Sequence, residues 1–469
     1  MDEFDLIVVG SGAGLSVASA AVSRGMNVAV VEDGPLGGTC LNRGCIPSKM
    51  LIHRADVMDT IRRADEFGIE ATVASVDFAG AVREVTEDVT DDADRIERGL
   101  EQSDQHTLYH TEGRFVDERT LEVDGERIRG EHVVIAAGAR PKIPAIDGID
   151  EVDYITSAEA LRLETRPDRL LVVGGGYIGA ELGYYFGAFG TDVTVVGRHE
   201  FLLPDEDEEV QRAFTDAFGR RHDVRVGHEV TAVEHRGDEF VASVTGPDGG
   251  VEEVTTDELL VAAGLVPNTD RLAVENGGVE TDAEGYVEVD EYLRTSAENV
   301  WALGDILGVH QFRHAANHEA STVARNLLVD DHLEPVDYTV MPHAVFANPE
   351  VAGVGETEQS LRAAGRDYGV RTYDYADTAM GGALKETDGF VKVLIDPDDR
   401  TILGCHVMGP EASTLIHEVV PVMHSGGTVE TITGAVHVHP ALSEVVDRAF
   451  AGRFRRPMAD EGHHGHAHE

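Results

Sequence analysis

Apolar residues in this chain cluster into short runs separated by glycine turns and mixed helical stretches. The first run, Phe4-Asp5-Leu6-Ile7-Val8-Val9, predicts a buried strand. It leads into Gly10-Ser11-Gly12-Ala13-Gly14, an Ala/Ser-rich helix, and a second run, Val28-Ala29-Val30-Val31-Glu32. The same order recurs about 165 residues later, with Leu170-Leu171-Val172-Val173, Gly174-Gly175-Gly176-Tyr177-Ile178-Gly179, a helix, and Asp192-Val193-Thr194-Val195-Val196. Two further runs, Val133 to Gly138 and Leu259 to Gly264, end in Ala-Ala-Gly and close the two units. From Met341 the texture changes to alternating strands (390–395 and 402–408) and two helices near 411–424 and 440–451. The last helix carries Leu442, Val445, Val446, Ala449 and Phe450 at helical spacing. The pattern predicts an α/β chain with two Rossmann-like dinucleotide-binding domains and a C-terminal α+β domain.

Each glycine turn stands between a strand and a helix, which gives it a physical purpose. Gly10, Gly12 and Gly14, and again Gly174, Gly176 and Gly179, let backbone approach a pyrophosphate, while the helix N-terminus offers free N–H groups and a positive dipole end. Glu32, 22 residues after Gly10, is placed to accept from ribose hydroxyls. One such turn is weak evidence, because ordinary tight turns mimic it. Two in the same context point to two dinucleotide sites.

Charge narrows the setting. Of 469 residues, 87 are acidic and 38 basic, a formal net charge of -49. Such a surface repels nucleic acid and anionic membranes, so neither is an expected partner. Lys occurs four times (Lys49, Lys142, Lys385, Lys392) and Arg supplies the other 34 cations. A carboxylate-rich, Lys-poor composition spread over the whole chain fits a protein kept soluble in molar salt, where self-repulsion is screened. No apolar run is long enough to span a membrane, and the N-terminus carries acids where a signal peptide needs cations. A cytoplasmic location is expected. The tail from residue 456, with His463, His464, His466 and His468, reads as a solvated tail, and no metal site is expected.

The chemistry concentrates in Gly37-Gly38-Thr39-Cys40-Leu41-Asn42-Arg43-Gly44-Cys45-Ile46-Pro47-Ser48-Lys49. Three cysteines are too few for a secreted disulfide framework or an iron–sulfur cluster. Five residues of regular helix rise about 7.5 Å, beyond the roughly 4.4–6.8 Å between Cα atoms of a disulfide. A Cys40–Cys45 bridge therefore needs a distorted turn, which Gly44 can supply. Two buried free thiols or half a metal site are the bland readings. With no second cysteine pair nearby, and a ribose-binding acid eight residues upstream, a redox-active disulfide beside a cofactor is the better one. Cys405, among apolar neighbours, reads as a core residue.

This segment, the two glycine motifs and Leu303-Gly304-Asp305 resemble the class I pyridine-nucleotide disulfide oxidoreductases over residues 3–455. That family includes dihydrolipoamide dehydrogenases and the glutathione, mycothione and mercuric reductases. The resemblance implies an FAD-binding domain over residues 1–150, completed by 271–340, an NADPH-binding domain over 151–270, and an interface domain over 341–455. It implies FAD contacts from Gly10, Gly12, Gly14, Glu32 and Lys49, with Asp305 at the ribitol–phosphate region. Gly38, Thr39, Gly113, Ala137, Gly138, His314 and Gly264 are further implied cofactor contacts. Cys45 would face the flavin and form its charge-transfer complex, and Cys40 would exchange with substrate. Lys49 and Glu181 would pair near the flavin's reactive nitrogen, and Tyr177 would gate the nicotinamide pocket.

Disulfide exchange also needs an acid/base, and His439-Pro440-Ala441-Leu442-Ser443-Glu444 offers a histidine at a helix start with a carboxylate one turn in. By itself this reads as a helix cap. Beside the cysteine pair it reads as catalytic, and in the family the His439–Glu444 type of pair serves the other subunit's cysteines, so a homodimer with shared sites is implied. Two positions depart from the family pattern. Leu15 replaces its third glycine, and Leu265 replaces an arginine near the nicotinamide.

The second nucleotide strand runs into Gly197-Arg198-His199. An NAD site wants an acid where Gly197 stands, whereas a 2′-phosphate wants that acid gone and cations such as Arg198 and His199 nearby. FAD and NADPH are the expected cofactors, and a small-molecule disulfide the expected substrate. Residues 389–392 and 437–442 are similar to mycothione reductases, and the halophilic composition shifts the expected thiol to γ-glutamylcysteine. An NAD-linked dihydrolipoamide dehydrogenase is the alternative, with mercuric reductase disfavoured because residues 452–469 hold no cysteine. A non-enzymatic flavoprotein subunit or a metal carrier is the reading from another class.

The charge carries a prediction. The Debye length grows from about 3 Å at 1 M salt to about 10 Å at 0.1 M, which unscreens repulsion among carboxylates. Structure and activity are expected to be lost as KCl falls from about 3 M to about 0.1 M. A melting temperature constant over that range would remove the halophile reading.

Overall fold

A computed structural model describes residues 1–329 and 333–456; the four tail histidines lie outside the described residues. The chain divides into two compact units, one of Met1–Arg198 with Arg225–Asp337, the other of His199–Val224 with the chain from Tyr338 onward. No described helix is long and apolar enough to cross a membrane.

In the first unit the strand Asp2–Val9 lies parallel to Val28–Val31 on one side and to Glu126–Ile135 on the other. Val28–Val31 in turn pairs with His106–Tyr109, and Val300–Ala302 adds to Glu126–Ile135. Leu6, Ile7 and Val8, like Val28, Ala29 and Val30, are fully buried, as continuous apolar runs require when both faces of a parallel sheet are covered. The second nucleotide module repeats the arrangement. Arg169–Val173 lies between Asp192–Gly197 and Glu258–Val261, all parallel, over a core that includes Leu171, Val196, Leu259 and Val261. An antiparallel meander, Glu229–Arg236, Glu239–Thr245 and Val251–Thr256, follows it.

The two modules share one backbone geometry. Gly10, at φ +102°, donates its N–H to Val31 O (2.8 Å), and a Cβ there would lie 2.2 Å from Ala136 O. Gly174, at φ +126°, donates to Val196 O (2.9 Å), and its Cβ would lie 2.1 Å from Ala262 O. Only glycine permits either the sign of φ or the contact. Each turn then delivers the chain into a helix, Gly14–Val22 or Tyr177–Ala188, whose first turn has no side-chain cap. Elsewhere caps are used, as where Asp77 accepts from Gly80 N ahead of the helix Phe78–Glu101.

The second unit is built on a five-stranded antiparallel sheet in the order His343–Val345, Val351–Gly355, Ile402–Met408, Phe390–Ile395, Gly369–Asp374. The helices Ala412–His424 and Ser443–Phe450 pack on it through Leu415, Ile416, Val419, Val445, Val446 and Phe450, against Val391, Val393, Cys405 and Val407. The other side chain set of the same strands holds Lys392, which is 1 % exposed and opposite His406 in register. Its ammonium meets Asp207 (2.7 Å), Glu358 (2.6 Å) and Glu209 (3.1 Å). Burial disfavours the lysine's charge, but these carboxylates outweigh it and raise its pKa. Asp207, itself buried, also accepts from the backbone N–H groups of Glu209 and Glu358. Removing one member of such a buried network leaves uncompensated charge and typically costs about 3–5 kcal/mol.

Candidate active site

The helix Gly38–Arg43 is pinned at its start by buried Asn42, whose amide donates to the carbonyls of Pro35, Leu36 and Gly38. It stops at Gly44, at φ -140° and ψ -121°, where a Cβ would lie 2.9 Å from Thr39 O. A new helix, Cys45–Arg62, begins immediately. The break expected at Gly44 thus turns the chain between the two cysteines. Both are thiols in the structure, Cys40 half-buried and Cys45 exposed, and the two are hydrogen-bonded to each other.

The pair is asymmetric. The hydrogen bond from Cys40 lowers the Cys45 thiol to about 7; burial opposes this and the charge of Lys49 assists. Cys45 also opens its helix, where free N–H groups favour a thiolate. Cys40 is pushed well above the ordinary thiol range by the same hydrogen bond and by burial. Electrostatics therefore assigns the resting thiolate to Cys45 and the proton to Cys40. Lys49, one turn beyond Cys45, reaches Glu181 on the helix Tyr177–Ala188 at 2.6 Å, the pairing expected for these two.

The structure places the other expected residues as follows. Tyr177 stacks on Phe312 at 6.1 Å, and Phe312 on exposed His314 at 5.4 Å. Burial raises the pKa of Asp305, and the charge of Arg313 partly offsets it. Glu32 accepts from Ser11 N (2.8 Å), Ser11 Oγ (2.6 Å) and Gly34 N (3.0 Å), so its carboxylate is held against the first glycine turn. Gly38 lies against the same turn, since its Cβ would come 2.7 Å from Gly12 Cα, while Thr39 is exposed. Gly113 begins a strand against Val31, and Asn268 ties down Ala137 and Gly138 by bonds to their carbonyls (2.8 and 3.2 Å). Gly264, at φ +105°, accepts from Lys142 N. Arg198 and His199 follow the buried end of Asp192–Gly197 and are both exposed.

In the second unit, His439 Nδ1 is 2.9 Å from Glu444 Oε1, and the imidazole is 72 % exposed. The expectation of a histidine at the helix start needs correction. The helix begins at Ser443, so His439 stands in the preceding loop, because Glu444 spends its other oxygen on Ala441 N (3.3 Å) and closes a turn ahead of the helix. With Nδ1 held by the carboxylate, Nε2 is the nitrogen available for chemistry. Neighbouring His437 is bound differently. Burial disfavours its cation, but the hydrogen bond and charge of Glu418, with Asp447, outweigh it and raise its pKa. Sequence reasoning missed Arg313 and Phe312, which belong to no motif and are found only because the helix Arg313–Leu328, with Phe312 just ahead of it, begins beside Cys40 and Tyr177.

The first module fits FAD by its own geometry. Gly10, Gly14 and Gly38 let the turn pack on Ala136, Val8 and Gly12 more closely than any side chain would allow, its helix is uncapped, and a fixed carboxylate, Glu32, stands where ribose hydroxyls need an acceptor. Residues 4–320 match the family described as pyridine nucleotide-disulphide oxidoreductase, and residues 341–450 its dimerisation domain. The chain belongs to this family. It is 37 % identical over 467 residues to mycothione reductase of Mycobacterium tuberculosis, covering 96 % of this chain and all of the relative. It is 35 % identical to dihydrolipoyl dehydrogenase 2 of Haloarcula marismortui, covering 95 % of this chain and 96 % of that one. Among solved structures it is similar to the HOCl-induced flavoprotein disulfide reductase RclA of Escherichia coli, with a TM-score of 0.86, 27 % identity, and coverage of 96 % and 99 %. The chain is therefore an FAD- and pyridine nucleotide-dependent disulfide oxidoreductase, a homodimer acting on a small-molecule disulfide.

The asymmetry of the cysteine pair is open to measurement. In reduced enzyme carrying carbon-13 cysteine, Cys45 should titrate at about 7 by NMR. Cys40→Ala should raise that midpoint by deleting the donor, and Lys49→Met should raise it by deleting the charge. A midpoint that neither substitution moves would mean that these groups do not hold the thiolate.

Proposed function

We propose that this oxidoreductase is an NADPH-dependent reductase of a low-molecular-weight thiol disulfide, bis-γ-glutamylcystine, working in the cytoplasm of a halophile. The observation that carries the NADPH assignment is Gly197-Arg198-His199, a strand end without the acid that a free 2′-hydroxyl needs and with two cations following it. The small-thiol assignment is supported by the mycothione reductase relative, and the γ-glutamylcysteine assignment by the acidic, Lys-poor composition. NAD-linked dihydrolipoamide dehydrogenase is the second reading, favoured by the Haloarcula relative.

Gly10, Gly12, Gly14, Glu32 and Asp305 would hold FAD, and Gly174, Gly176, Gly179 and Arg198 would hold the nicotinamide dinucleotide; together these groups supply the hydride chemistry. The chain's own residues handle the sulfurs. Cys40 keeps its proton at rest, so a base must remove it, and the partner subunit's His439 is assigned that task. The Cys40 thiolate attacks one substrate sulfur, forming a mixed disulfide as the substrate S–S bond breaks. His439 returns the proton to the departing thiol. The Cys45 thiolate then attacks Cys40 Sγ, forming the Cys40–Cys45 disulfide and releasing the second substrate half as a thiolate that takes its proton from solvent. Glu444 orients the ring and stabilises its cation.

Steady-state turnover with a panel of disulfides, using NADPH and NADH in high salt, tests the assignment. Bis-γ-glutamylcystine with NADPH should give the highest kcat/KM, and Arg198→Ala should raise the KM for NADPH about ten- to a hundredfold, for a charge-assisted bond of ~1.5–3 kcal/mol, with little change for NADH. Preference for dihydrolipoamide with NAD would support the second reading instead. Sharing between subunits is tested by mixing Cys40→Ser with His439→Ala chains. Each alone should be nearly inactive, and a heterodimer should regain up to about half of the activity, because one of its two sites is intact. No recovery in confirmed heterodimers would place His439 in its own chain's site.

A further inference from the structure

Arg313 is the first residue of the helix Arg313–Leu328 and is half-buried. Its Nη1 lies 3.6 Å from where a Cβ on Gly12 would stand, so the guanidinium rests on the first glycine turn. Its charge acts on Asp305 and on Cys40. Among the described residues no hydrogen bond or ion pair engages it. A cation of this kind, set against a backbone cradle in a chain with a net charge of -49, calls for an anionic partner.

We infer that Arg313 is a cofactor-retaining residue whose guanidinium binds a phosphate oxygen of the dinucleotide seated on the first glycine turn. The inference rests on the reading that FAD occupies this module. Three observations carry it. The glycine turn and the uncapped helix Gly14–Val22 aim N–H donors at the same space that the guanidinium borders, and planar donors of this type match phosphate oxygens. The carboxylates of Glu32 and Asp305 belong to the same module, so a pyrophosphate placed there meets like charge that one guanidinium offsets. Leu15 stands where the family pattern has a third glycine, removing one position of closest backbone approach. Service to Cys40 is the weaker alternative, since that thiol stays far above the ordinary range despite Arg313.

The test is the dissociation constant for FAD, read from recovery of flavin fluorescence as purified holoenzyme is diluted, in a series of KCl concentrations from about 1 to about 4 M. Arg313→Ala should raise the constant about ten- to a hundredfold at the lowest salt and flatten its salt dependence, while Arg313→Lys should keep the salt dependence and lose less affinity. An unchanged constant in Arg313→Ala would overturn the proposal. So would equal losses in Ala and Lys variants at every salt concentration, which is the pattern of a packing defect. Failure of the wild-type chain to bind FAD would instead overturn the reading on which the proposal rests.

Discussion

The structure depends on a contact between two stretches of backbone. Gly10 and Gly174 each lie so close to a strand-end carbonyl, Ala136 O or Ala262 O, that any side chain would collide with it. That approach brings the glycine turn over the C-terminal edge of a parallel sheet, where the next helix presents N–H groups without a side-chain cap. Both nucleotide sites follow from it. A single substitution at either glycine would push the turn off the sheet and withdraw the helix terminus from the site proposed for phosphate.

From that frame the redox segment acquires its position. Gly38 packs on Gly12, the short helix Gly38–Arg43 is tied down by Asn42, and the break at Gly44 turns Cys45 into the start of a new helix. The two thiols are adjacent yet electrostatically unlike. One sits at a helix N-terminus near Lys49, and the other donates to it. This division of charge explains why the chemistry calls for a separate base. In the proposed reaction the thiol that attacks substrate is the one that holds its proton.

Charge is used differently on the surface and inside. The surface is acidic throughout, and Lys142 and Lys385 are exposed there. Lys49 pairs with Glu181, and Lys392 with Asp207, Glu358 and Glu209. Lys392 links the segment around Asp207 to the sheet of the second unit, far along the chain from it. Its net contribution to stability is small, because desolvating the charges offsets much of their attraction.

The sequence by itself determined the fold class, the two nucleotide modules and the cysteine pair, because each rests on local physics. Glycines at fixed spacing, continuous apolar runs and a five-residue cysteine interval are legible without knowing what touches what. The break at Gly44 was legible for the same reason, being a demand of helix rise against disulfide reach. Tertiary structure alone decided that the strand Phe390–Ile395 is buried on both faces, with Lys392 inside. Its Phe-Val-Lys-Val-Leu-Ile pattern does not announce the carboxylates that make a buried lysine tolerable, since Asp207 lies 185 residues away. The same limit hid Arg313. A guanidinium resting on a glycine turn 301 positions earlier is set by how a helix docks, and docking depends on non-local packing that no window of sequence contains.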